Sequence, residues 1–405
     1  MNLEPFVAVR RSGYAVRSCV DCPSVGRQTT KNDQPLQTIT RALTCGFLES
    51  FTLNLARSGF PAKSWVVPDT TRRYPYPHAA ARGGAVKVLV AGATGALGTP
   101  LTRLLLSAGH QVVGLTRTPA NATRLTYQGI HPIVADALDA EGLRTALRGV
   151  TADAVVHALT ALKKPPMRHH DMESTDALRE QGTTNLLAAA RQVGAGRFVA
   201  ESMHLGYGFG DWGDQVLTES QPWAPSGHTP DLERHLAALR SLERQVFAAT
   251  DQGGLDGISL RFGSFYGPGA GLETLVDMLR RRKLPLPGGG RRVMSWVYID
   301  DAATAVLAAL EHGQPAEAYN IVDDEPVALR DFVAAIADEF GTPRPRSVPV
   351  WLARTTAPYL ATVLGETTMR VSAARAKAEL GWTPSVPNYR EGIARAAREQ
   401  RAVAR

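Results

Sequence analysis

Three glycines spaced three apart, Gly92, Gly95 and Gly98, stand between an apolar run, Val86-Lys87-Val88-Leu89-Val90-Ala91, and a segment with Leu101, Leu104, Leu105 and Leu106 at helical spacing. The pattern is a strand passing through a glycine turn into a helix, and it suits the holding of a pyrophosphate on free amides at a helix N-terminus. Gly92 permits the tight turn, Gly95 lets backbone approach the phosphates, and Gly98 lets the helix lie close on the sheet. Thr94, Ala96 and Leu97 complete the loop. A dinucleotide cofactor is expected there.

Such a turn grips a nucleotide only when a parallel sheet presents it. From residue 86 the chain alternates short apolar runs with helical segments, which predicts an α/β fold, a doubly wound parallel sheet. Strands are expected at 86–91, 111–116, 131–135, 154–158, 197–202 and 257–262, with helices at 173–194 and 231–250. Beyond about residue 263 the chain turns Gly- and Pro-rich, then gives shorter mixed elements and helices. The expected division is a nucleotide-binding domain over 86–262 and a smaller C-terminal lobe, mainly 263–405, that covers the strand ends and forms the substrate cleft.

The net charge of +7 invites a nucleic-acid reading, but its distribution argues against one. Residues 1–85 carry 11 Lys or Arg against 5 Asp or Glu, leaving 34 against 33 in the 320 residues that follow. The body is near neutral and implies no nucleic-acid partner. All three cysteines, Cys19, Cys22 and Cys45, lie in the first segment, so the body depends on no disulfide, thiolate or cysteine-held metal. No apolar run of about 18 residues occurs, and no membrane span is expected.

Segment 1–85 lacks sustained periodicity and is expected to be mostly disordered, with only 43–56 fit for an amphipathic helix. A targeting peptide fits its Arg and Ser content partly, and Arg10-Arg11 is followed by no apolar region of the kind an export signal needs. The favoured explanation is a translation start at Val86, with the upstream residues non-native. A cytoplasmic location is expected.

The order of the motifs resembles the extended and atypical short-chain dehydrogenase/reductase superfamily, in its epimerase/dehydratase branch, over roughly residues 86–398. Beside the glycine turn, the landmarks are Asp136 in Val134-Ala135-Asp136, Asp153-Ala154-Val155-Val156-His157, Gly182-Thr183-Thr184-Asn185, Arg197-Phe198-Val199 and Tyr207-Gly208. Arg261, Phe265-Tyr266-Gly267-Pro268-Gly269, Trp296-Val297-Tyr298-Ile299-Asp300-Asp301, Tyr319-Asn320-Ile321 and Leu380-Gly381-Trp382-Thr383-Pro384 follow. The resemblance implies a Rossmann fold with bound NAD or NADP. After the second strand, where an NAD enzyme usually carries an acid for the ribose hydroxyls, this chain has Gly114-Leu115-Thr116-Arg117. A guanidinium offers a fork of donors to a 2′-phosphate and Thr116 a hydroxyl, which favours NADP. The resemblance gives Asp136 a contact with the adenine amino group, the alternative being a helix cap ahead of Leu138.

The catalytic positions depart from the family. There a Ser or Thr, a Tyr and a Lys four residues beyond it polarise a carbonyl and pass a proton while hydride moves to or from the nicotinamide. Aligned on Tyr207-Gly208, the serine position holds Met203, with Ser202 one residue earlier; aligned on Glu243, the tyrosine position is His235 and the lysine position Leu239. No Tyr-x-x-x-Lys occurs in the chain. Met and Leu cannot do this work. The substitutes on elements expected near the nicotinamide are Tyr207, Ser202, His204, His235 and Tyr266, with packing as the alternative for the two tyrosines and a solvated helix face for His235.

A second departure concerns substrate. Nucleotide-sugar enzymes of the family commonly clamp a diphosphate with an Arg where Met294 stands here, and Arg291 and Arg292 only flank the Gly288-Gly289-Gly290 turn. The loop Lys163-Lys164-Pro165-Pro166-Met167-Arg168-His169-His170-Asp171 should border the cleft, where its charge could attract an anionic substrate. His169, His170 and Asp171 are adjacent on one loop and build no metal site alone. The expectation is an NADP-dependent oxidoreductase (NAD being the other cofactor) that acts on a carbonyl or activated double bond of a small organic molecule. The alternatives are a sugar-nucleotide epimerase or dehydratase and a non-catalytic redox sensor. The expected partners are a small-molecule substrate and, as one option, a second copy of the chain in a homodimer.

Overall fold

Val88, Leu89, Val90 and Ala91 are all buried, with Val88 and Val90 packed into one apolar layer and Leu89 and Ala91 into another. A strand buried on both faces belongs inside a parallel sheet covered by helices on either side. The computed structural model, which describes residues 84–403 apart from 224, places it there. Cys19, Cys22, Cys45, the Arg10-Arg11 pair and the helix expected over 43–56 lie outside the described residues.

Seven parallel strands form the main sheet: β1 (Lys87–Ala91), β2 (Gln111–Thr116), β3 (His131–Val134), β4 (Ala154–His157), β5 (Arg197–Met203), β6 (Asp256–Phe262) and β7 (Glu317–Ile321). Their order across the sheet is β7-β6-β5-β4-β1-β2-β3. The chain winds outward from β1 to β3, then returns to the other side of β1 as β4, so β1 and β4 flank the point where the winding reverses. One layer carries Leu101 and Leu105 of helix α1 (Gly98–Ser107) together with Ala302, Val306 and Ala309 of a helix over Ile299–His312. The opposite layer carries Leu186, Leu187 and Ala190 of helix α2 (Thr183–Gln192) and Leu242 and Val246 of helix α3 (Pro230–Asp251). Helices on both faces make the sheet doubly wound. No helix among the described residues is long and apolar enough to cross a membrane.

Two features depart from the sequence expectation. The sheet continues beyond residue 262, because β7 pairs with β6 from Glu317↔Ile258 to Ile321↔Phe262. With Glu, Tyr and Asn among its five residues β7 does not read as an apolar strand. It is fixed by tertiary bonds: the Asn320 amide N–H donates to Glu219, its side-chain amide donates to the Ser372 carbonyl, and its side-chain oxygen accepts from Tyr207. The helical segment expected over 173–194 is also interrupted. Leu178–Gly182 is a π-turn between Glu173–Ala177 and α2. Such widened turns are uncommon and collect at functional sites.

Candidate functional site

The cleft opens where β1 and β4 end. Gly92 has φ +96°, and a Cβ there would lie 2.1 Å from the Ala158 carbonyl oxygen just past β4; one on Gly98 would lie 2.0 Å from the Gly92 carbonyl oxygen. Both glycines are therefore demanded by the fold itself. Gly95 differs. Its φ is ordinary and a Cβ would meet only the Gly92 carbonyl of its own loop, at 3.2 Å, so the side facing the cleft is open to an incoming group. The Gly95 N–H closes the turn on the Gly92 carbonyl (2.8 Å), and Thr99 and Leu101 begin α1 on the Gly95 and Leu97 carbonyls.

Two connected chambers line the strand ends. The first, about 300 Å³, is bounded by Gly92, Thr94 and Gly95, by Thr116 and Arg117 after β2, and by Asp136 after β3. Arg117 is exposed at its edge. Thr116 is buried, and its hydroxyl oxygen has no hydrogen-bond partner among the described residues. A chamber lined by a threonine whose buried hydroxyl lacks a partner and by an exposed guanidinium fits an adenosine ribose and its phosphate. Asp136 also lines this chamber while accepting from the Leu138 N–H at 2.9 Å. It shapes a turn there; the helix cap is Asp139, which accepts from Gly142. Glycine turn, Thr116, Arg117 and Asp136 thus make one concave surface that fits a dinucleotide.

The second chamber, about 360 Å³, shares Ala158, Leu159, Thr160 and Lys163 with the first, and Ala96 and Leu97 open into it. Its inner wall is Glu201 and Met203 of β5, Phe262 of β6, and Arg179 and Thr175 from the interrupted helix; Lys164, Pro165 and Pro166 form its rim. Burial pushes the Glu201 carboxyl up to about 7 against the opposing pull of the Arg179 cation. Arg179 is itself buried and is held by Asp176 at 3.3 Å, with the π-turn setting its position.

None of the sequence-derived catalytic candidates lines this chamber. Tyr207 is fully buried, donates to Asn320 (2.8 Å) and accepts from Arg261 (3.0 Å), and burial raises its phenol pKa. Tyr266 is buried against Asp323 (2.7 Å), and burial together with that carboxyl raises its pKa further. Ser202 is buried on the face of β5 opposite Glu201 and Met203, because successive strand residues point to opposite sides. His204 points at the Phe262 carbonyl (2.9 Å), and burial holds it down to about 4. His235 does not sit on a solvated helix face: it is buried, with Nδ1 2.5 Å from Asp176 and Nε2 3.2 Å from His169.

The remaining loop residues have structural partners. Asp171 accepts from the Met167 and Arg168 amides, both at 2.9 Å. Met294 is fully buried in the core, while Arg292 pairs with Asp211. The inner wall was missed by sequence reasoning, although it left a trace: Glu201 is an acid directly after the apolar run Phe198-Val199-Ala200, near the end of a buried parallel strand.

Residues 88–322 match the family model described as the NAD dependent epimerase/dehydratase family. The chain is 36% identical over 318 residues to 3-diazoavenalumate denitrifying reductase of a Streptomyces species, covering 76% of this chain and all of that protein. It is 31% identical over 274 residues to 2-alkyl-3-oxoalkanoate reductase of Stenotrophomonas maltophilia, covering 64% of this chain and 77% of that one. The fold is shared with UDP-glucose 4-epimerase of Thermus thermophilus in complex with NAD, at TM-score 0.64 and 23% identity, over 78% of this chain and 99% of the other.

Proposed function

The chain belongs to the NAD-dependent epimerase/dehydratase family, and from that premise we propose that it is an NADP-dependent reductase of a small organic molecule carrying a carbonyl or activated double bond. Oxidoreductase-type chemistry with a nicotinamide cofactor is the broader statement that the family and the two named reductases support. The single observation that carries the narrower one is the continuous cleft from the glycine turn and Arg117 to Glu201 and Met203.

When bound, the reduced nicotinamide supplies hydride. The chain's part is to hold the dinucleotide on Gly92–Gly98, read its adenosine end with Thr116, Arg117 and Asp136, and shape the second chamber for the substrate. Both named reductases act on carboxylates. Buried Arg179 with Lys163 and Lys164 at the rim gives this chamber the charge to draw such an anion inward. A nucleotide sugar fits less well, since the diphosphate-clamp position is the buried Met294.

Stopped-flow mixing with NADPH and a panel of 3-oxoalkanoates, aryl ketones and nucleotide sugars tests the reading. Oxidation with an oxoalkanoate or ketone is expected. Conversion of a nucleotide sugar instead would replace the reading with an epimerase or dehydratase, and tight NADPH binding with no oxidation would replace it with a redox sensor.

A further inference from the structure

The chain lacks the tyrosine–lysine pair that the family resemblance assigns to proton handling, and none of the five substitutes visible in the sequence lines the second chamber. Met203 occupies the usual serine position and lines the second chamber. Glu201 lies two residues earlier on the same strand, so its side chain emerges on the same face one step deeper. It too lines the chamber, beside Phe262 and opposite Arg179 and Thr175. No hydrogen bond to its carboxyl occurs among the described residues, which leaves both oxygens to whatever enters.

We propose that Glu201, as a neutral carboxylic acid, is the proton donor of the reaction, in place of the tyrosine–lysine pair. The inference rests on the reductase reading above. For a ketone substrate, a bound reduced nicotinamide would supply hydride, its C–H bond breaking as a C–H bond forms at the carbonyl carbon and the C=O π pair moves onto oxygen. The Glu201 O–H breaks and its proton bonds that oxygen. An alcohol, the oxidised nicotinamide and a Glu201 carboxylate result, and solvent reprotonates the carboxylate.

The electrostatics of the wall are compatible with a neutral acid. Arg179 acts on Glu201 from the π-turn, while Lys163 and Lys164, on the loop after β4, line the same chamber. On the strands at either side, His157 of β4 points to the opposite face and is held down to about 4 by burial, while Arg261 of β6 is on that opposite face, engaged by Glu243 at 2.7 Å. Burial outweighs the Arg179 cation, and the carboxyl is pushed up to about 7. An acid with that proton affinity gives up its proton readily to a developing alkoxide near neutral pH.

The test compares wild type, E201Q and E201D in the full chain with NADPH and 3-oxoalkanoates, together with infrared difference spectra between wild type and E201Q across pH. Loss of a positioned acid is worth about 10²- to 10⁴-fold in turnover. E201Q should lose that much in kcat, keep its NADPH affinity by fluorescence titration, and lose the fall in kcat/KM as pH rises through about 7; E201D should retain the fall. Wild-type kcat with an unchanged pH profile in E201Q overturns the proposal. If wild type turns over nothing on the panel, the reductase reading falls and the infrared titration decides: a Glu201 carbonyl band persisting to about pH 7 supports the neutral acid, and ionisation near the ordinary 4.5 overturns it.

Discussion

Replacing Arg117 by alanine should weaken NADPH and leave NADH nearly untouched. The two cofactors differ at the 2′-phosphate alone, and Arg117 is the cation after β2 that lines the first chamber. A charge-assisted hydrogen bond contributes about 1.5–3 kcal/mol; because Arg117 is exposed, solvent screening places it at the lower end, about 1.5 kcal/mol. That is about tenfold in Kd. Thr116 adds a neutral hydroxyl contact of about 0.5–1.5 kcal/mol, so Thr116→Val should cost a further several-fold, again for NADPH first. Fluorescence titration of wild type and both variants with each cofactor, at low and high salt, measures this. The Arg117 contribution should shrink with salt and that of buried Thr116 should not. Equal losses for NADPH and NADH in Arg117→Ala, or a wild-type preference for NADH, would refute the argument.

Two more perturbations probe groups outside the cleft. Tyr207→Phe removes the hydroxyl that joins Arg261 to Asn320; a loss of about 1–3 kcal/mol in urea unfolding is expected, and loss of turnover at full stability would return Tyr207 to the catalytic candidates. Burial raises the Asp323 carboxyl to about 8, so between about pH 4 and 8 it is protonated in the folded chain and ionised in the unfolded one. The folded state then binds the extra proton, and stability falls as pH rises through that window. Asp323→Asn should flatten the fall in urea midpoint. Glu201 contributes the same sign in a lower window, so part of the slope should remain; an unchanged slope in the variant would show that Asp323 does not titrate this way.

The glycine turn expected to hold the nucleotide was legible because its determinants are local. Gly92 and Gly98 are required by backbone contacts within a few residues of sequence or one strand away, and buried parallel strands announce themselves as unbroken apolar runs. The seven residues Gly92–Gly98 make the turn expected to hold the phosphates. The strand bounds expected at 86–91, 111–116, 131–135, 154–158, 197–202 and 257–262 differ from the observed ones by at most one residue at either end. The polar strand β7 escaped, since its place depends on partners about 50 to 110 residues away in the sequence.

The second chamber was decided by tertiary structure. Which way a polar side chain faces depends on strand pleat and helix phase, and a single residue's difference separates Ser202, turned into the protein, from Glu201, turned into the chamber. A widened turn at Leu178–Gly182 brings Arg179 to the same wall, and no spacing rule in the sequence marks that turn. Sequence alone determined the fold and the glycine turn at its first strand, because both follow from neighbours along the chain. Which groups line the second chamber, and how tightly Glu201 holds its proton, follow from burial, which only the assembled sheet and its covering helices create.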